Sequence, residues 1–151
     1  MLTGALIVGM ARGVSVVMAE GNILDTVVYY LAGSIAVLPN SLSAVGILLA
    51  QTSFNFFVPS GSGQCLLTLP ILIPLADLVG LTRQVVVLAT HWGDGITNII
   101  FPTSGYFMAT LVIGRVRLSN WLKFYMPLVW RILGVAVSGL VIAQVISLGP
   151  F

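Results

Sequence analysis

Asp94 is the residue in this chain with the most chemistry to offer: a carboxylate inside a long apolar run, in the motif Gly93-Asp94-Gly95-Ile96-Thr97-Asn98. An acid at membrane depth is costly and is retained as a cation ligand or a proton carrier. With Gly95, Thr97 and Asn98 beside it, the donor set is oxygen-rich and suits a hard cation such as sodium. A bland role competes with this one: Asp94 can cap a half-helix that starts at Ile99, helped by Asn98, and a cap does not exclude an ion. His91 either carries a proton near neutral pH or stays neutral and hydrogen-bonded within a bundle. Thr103 and Ser104 follow Pro102, where they either line the same cavity or bond back to their own helix. Trp92, Phe101, Tyr106 and Phe107 are most simply packing or lipid-facing residues.

A second interruption precedes this one, Pro59-Ser60-Gly61-Ser62-Gly63-Gln64. Its two serines offer hydroxyls, and its glycines let successive backbone groups point to one place. A helix that begins near Gln64 turns its free N–H groups towards the tip and favours a carboxylate there. The arm before the tip ends in free carbonyls, which suit a cation. One turn can therefore hold an anion and a sodium ion side by side, although an ordinary loop between two helices satisfies the same pattern. The candidate substrate-binding residues are Asn55, Ser60, Gly61, Ser62, Gly63, Thr97, Asn98, Thr103 and Ser104. Asp94, Gly95, Asn98 and His91 are the candidates for binding a cation or coupling a proton.

The elements that position these residues belong in a membrane. The chain is 58% hydrophobic and only 7% charged, with a net charge of +2 and a mean hydropathy of +1.11. Soluble domains are roughly 45–50% apolar and about 25% charged. The small net charge gives no reason to expect a nucleic-acid partner, and the lone Cys65 excludes an internal disulfide. Leu2 to Val8 resembles a signal peptide only superficially, because no basic region precedes it and no cleavage site follows.

Two transmembrane segments are expected over residues 2–38, from Leu2 to Ala19 and from Leu24 to Leu38, with Arg12 interrupting the first. Residues 41–81 form two arms of about 17 residues each, the low end of what crosses a bilayer. Their shortness, with Pro70 and Pro74 interrupting the second, predicts a re-entrant hairpin rather than two full spans. Residues 83–114 predict a discontinuous helix, unwound from Gly93 to Asn98, and residues 125–148 a last span. Arg115, Arg117 and Lys123 cluster in one connection, which the positive-inside rule places in the cytoplasm. The C-terminus, Asn40 and Leu81 then lie outside, and charge alone does not separate a hairpin from two spans.

Asn55 to Gln64 and Gly93 to Phe107, with Gly9-Met10-Ala11-Arg12-Gly13, resemble the signature of the four-carbon dicarboxylate anaerobic carrier family, in its YfcC-like branch. The resemblance covers nearly the whole chain. It implies an all-α integral membrane protein of the ion transporter superfamily: the C-terminal inverted repeat of a carrier, with a re-entrant hairpin, a discontinuous helix and in many members an elevator mechanism. By position, Ser60 to Gly63 and Asp94 to Asn98 would hold a small carboxylate-bearing metabolite, a dicarboxylate or an amino acid, and a coupling sodium ion or proton. No other cofactor is implied.

The family's carriers are much longer, so a missing N-terminal half is an expected partner besides the lipid bilayer, and the complete carrier could be a homodimer. The expected location is a bacterial inner membrane, and Met1 is expected to begin a truncated or split reading frame. A non-transporting remnant or assembly subunit is the competing reading. An intramembrane protease is remote: His91 stands where a Gly-x-Gly-Asp motif needs glycine, Asp77 is an unconvincing partner, and Ser62 has no placed base.

Overall fold

A computed structural model describes residues 20–36 and 38–149, and before them only positions 9, 13 and 16–18. The expected first segment, Leu2 to Ala19, therefore lies almost wholly outside the described residues. Six helices follow: α1 (Ile23–Ala36), α2 (Asn40–Phe54), α3 (Gly61–Val79), α4 (Arg83–Thr97), α5 (Gly105–Ile113) and α6 (Leu118–Val145). No strand occurs among the described residues.

The core forms where apolar residues recur at helical spacing. Ala44, Ile47 and Leu48 of α2 meet Val85, Val86 and Ala89 of α4, Leu72, Leu75 and Ala76 of α3, and Ala136, Leu140 and Ala143 of α6. α2 packs most extensively on α4, and Gly93 permits a close approach between them. A Cβ added there would lie 2.8 Å from Gln51 Cβ and 3.0 Å from the Leu48 carbonyl oxygen. On the other side of α4, the Trp92 ring fills the notch left by Gly139 of α6. Outward the surface is apolar: Leu66, Leu78, Ile113, Phe124, Val135 and Val145 are all largely exposed. Such a surface suits acyl chains and not water.

α3 and α6 are long and apolar enough to cross a membrane. At 1.5 Å per residue α6 is about 42 Å long and α2 only about 22 Å, against a hydrocarbon core of about 30 Å. α6 reaches from one end of the bundle to the other. Near its start Trp121 Nε1 donates to the Ile99 carbonyl (2.8 Å). At its far end Gln144 Nε2 donates to the Gly80 carbonyl (3.1 Å), and Thr82 Oγ1 donates to the Leu148 carbonyl (2.9 Å). The α3–α4 turn fastened there is closed by Gly80, whose φ of 71° is left-handed, and by Thr82 capping α4.

Three boundaries and one helix interior depart from the sequence expectations. Gly93 to Thr97 is helical, and the chain leaves the helix only across Asn98 to Ser104. Packing of Gly93 against α2 holds that turn, while Pro102, which lacks an N–H and crowds the preceding turn, sets the break. α3 begins at Gly61 rather than near Gln64, because Ser60 Oγ caps it by accepting from the Gly63 N–H (3.4 Å). Pro70 and Pro74 lie inside α3 without ending it. α6 starts at Leu118, so Lys123 stands on the helix and the connection after α5 is short.

Candidate binding site where a loop tip meets a broken helix

The buried face of α2 changes character along its length. After Ala44, Ile47 and Leu48 come Gln51 and Asn55, one turn apart and almost without exposure. Asn55 then reaches across to the end of α4. Its Nδ2 donates to the Asp94 carbonyl (3.1 Å), to Thr97 Oγ1 (2.8 Å) and to Asn98 Oδ1 (3.5 Å). Asn98 Nδ2 in turn donates to Asp94 Oδ1 (2.8 Å). Thr97 Oγ1 gives its proton back to the Gly93 carbonyl (2.7 Å). The two interruptions are thus joined by amides, and the carboxylate of Asp94 is held at one oxygen.

Its other oxygen lies against the tip. Oδ2 sits 2.7 Å from where a Cβ of Gly61, the first residue of α3, would stand. The positive end of a helix favours an anion, and here the anion beside it is the chain's own. Asp94 has no basic ion-pair partner among the described residues, where the one salt bridge is Arg83 with Asp77 at the α3–α4 turn.

Asn55, Gly61, Asp94, Thr97 and Asn98 therefore come together. Ser60 and Gly63 contribute the cap of α3. Ser62, His91 and Gly95 are exposed, and Asp94 is half-buried between them and the interior. The capping role for Asp94 does not hold: it lies inside α4, and the next helix starts at Gly105 with Ser104 as its N-cap residue. Nor do Thr103 and Ser104 bond back to their helix, since both hydroxyl oxygens are buried without a partner, as is Asn55 Oδ1. Phe56 touches Phe101 edge to face (5.4 Å) and keeps the break beside the tip.

Three polar residues absent from the candidate site residues, one of them the last of the tip motif, complete the interior. Gln51 Nε2 donates to Thr68 Oγ1 (2.8 Å), Thr68 Oγ1 donates to the Gln64 carbonyl (2.9 Å), and Gln64 Nε2 donates to the Gln51 carbonyl (2.8 Å) and to Gln51 Oε1. The signal that marks them is spacing: Gln51 with Asn55 and Gln64 with Thr68 are i, i+4 polar pairs, all four buried.

An all-helical protein with a lipid-compatible surface, and with its interior polar groups gathered at two helix breaks, has the build of a membrane carrier. Residues 1–145 match the DcuC family, C4-dicarboxylate anaerobic carriers, and the chain belongs to that family. It is 48% identical over 128 residues to a protein of Escherichia coli named "Putative basic amino acid antiporter YfcC", covering 82% of this chain and 25% of that protein. An uncharacterised protein of Haemophilus influenzae is 37% identical over 141 residues, covering 93% of this chain and 27% of that one. The chain thus spans about a quarter of the length of these curated relatives. No solved structure matches it.

Proposed function

We propose that this chain is the C-terminal part of a secondary, ion-coupled carrier for a small carboxylate-bearing metabolite, working in the inner membrane with its C-terminus outside. The observation that carries the reading is the meeting of Asp94 with Gly61. A carboxylate with one oxygen held by Asn98 and the other against a loop tip can release or take up a cation or a proton as the tip separates from α4. The short α2 supports a re-entrant arm: its tip, level with Asp94, falls partway along the much longer α6. An elevator motion would carry this site across the membrane as one piece. The remaining carrier supplies the rest of the site, including an N-terminal repeat of opposite orientation.

Between an amino acid and a dicarboxylate, the charge of Asp94, which forms no ion pair among the described residues, favours the amino acid. An ammonium group offsets Asp94, whereas a dicarboxylate adds negative charge to it. The name of the Escherichia coli relative points to the same class. Asp94→Asn in the carrier reassembled from both parts should abolish ion-dependent uptake while leaving the protein folded. Unchanged coupling in that variant would remove the basis of this reading. The purified chain alone should not transport, and saturable uptake by it in liposomes would show that the rest of the carrier is dispensable.

A further inference from the structure

We propose that Gln51, Gln64 and Thr68 are positioning residues that hold the first turn of α3 in place, so that Gly61 meets Asp94; the consequence for transport rests on the carrier reading above. Their exposures are 2%, 0% and 3%. As a source of stability the trio is a poor choice. Gln64 Oε1 is buried with no partner, and a half-satisfied polar network is worse than an apolar core of the same shape.

What the trio provides is geometry. The Gln51 carbonyl accepts two hydrogen bonds, one from the Asn55 N–H (2.9 Å) that closes the last turn of α2 and one from Gln64 Nε2 (2.8 Å) in the first turn of α3. One peptide group thus ties together the two helices that flank the tip. Thr68, a turn beyond Gln64, closes the ring by accepting from Gln51 Nε2 and donating to the Gln64 carbonyl. Asn55, a turn beyond Gln51 on the same face of α2, holds Asp94, Thr97 and Asn98. α2 therefore grips α3 with one side chain and α4 with the next. The contact between Gly61 and the Asp94 carboxylate follows from that double grip. Neither glutamine touches the carboxylate itself, so their action on it passes through the backbone of the tip.

The test uses the full chain in lipid nanodiscs, with Cys65→Ala and a reporter cysteine at the exposed tip, Ser62→Cys. Gln64→Leu and Thr68→Val keep the volume and remove the hydrogen bonds. The maleimide labelling rate at position 62 should rise at least about tenfold in Gln64→Leu, the order set by losing the two buried hydrogen bonds of Nε2. Thr68→Val should move it in the same direction. The melting temperature should stay nearly level in Gln64→Leu, which removes one orphaned oxygen and creates another, and fall somewhat in Thr68→Val, which leaves Gln51 Nε2 unpaired; a second reporter, Asn120→Cys, should not respond in either. An unchanged rate at position 62, or one that merely follows a falling melting temperature, overturns the proposal. If Gln64→Leu does not fold, Thr68→Val decides. In the reassembled carrier, Gln64→Leu should raise the half-saturating concentration of the coupling ion and leave the maximal rate nearly intact. A wild-type assembly that fails to transport while the labelling shift persists would remove the carrier reading and leave the positioning role standing. Working transport with no labelling shift would do the opposite.

Discussion

Gly93 and Gly95 flank Asp94 in one motif, yet alanine at the two positions should have opposite effects. At Gly93 the new Cβ would stand 2.8 Å from Gln51 Cβ, 3.0 Å from the Leu48 oxygen and 3.1 Å from the Thr52 nitrogen. Two of those three atoms are backbone, so rotating a side chain gives no relief and α2 must move away from α4. Overpacking of this kind costs about 1–3 kcal/mol. At Gly95 nothing lies within 4 Å of the added carbon. There the substitution brings only the helix-propensity gain of alanine over glycine, about 1 kcal/mol. The same gain applies at Gly93, which is also inside α4, and so it cancels in the comparison. The difference between the two variants isolates the close approach and should be about 1–3 kcal/mol. Reversible unfolding in mixed micelles, followed by circular dichroism, measures it directly. Equal stabilities for the two variants, or a Gly93→Ala variant more stable than Gly95→Ala, would show that α2 and α4 do not approach each other as described.

Two further outcomes follow from the geometry. Gly61→Ala places its carbon against Asp94 Oδ2, the end of a flexible side chain. The carboxylate should swing aside with little loss of stability, while the ion dependence of uptake by the reassembled carrier shifts; unchanged ion dependence would detach Gly61 from the site. In a Cys65-free background, cysteine at position 120 should label from the cytoplasmic side and cysteine at position 82 from outside, and the reverse pattern would refute the orientation argued from Arg115, Arg117 and Lys123.

The site's main carboxylate was legible in the sequence because an acid in an apolar run has few bland explanations. The family was legible too, since the tip and the Gly-Asp-Gly motif occur in order. The exact place of the second break was not. Two glycines around Asp94 suggest unwinding on propensity alone, but Gly93 is small in order to pack, and that contact keeps the turn helical. Pro102, the stronger breaker, sets the boundary. Pro70 and Pro74 mislead in the opposite sense. Surrounding helices hold α3 together through both, as is common in membrane segments. The ring of Gln51, Gln64 and Thr68 went unread because each residue alone looks like an ordinary polar substitution; only the fold brings 51 beside 64.

The fastenings of α6 determine what is free to travel. With Gln144 on Gly80 and Thr82 on Leu148 at one end, and Trp121 on Ile99 at the other, the last helix is strapped lengthwise to the α3–α4 turn and to the connection between α4 and α5. Tilting α6 by itself would strain both straps at once. The helix is thus luggage rather than a rail: α2, α3, α4 and α6 make one parcel. In the proposed carrier, any motion of the α3–α4 turn would therefore carry α6 along with it.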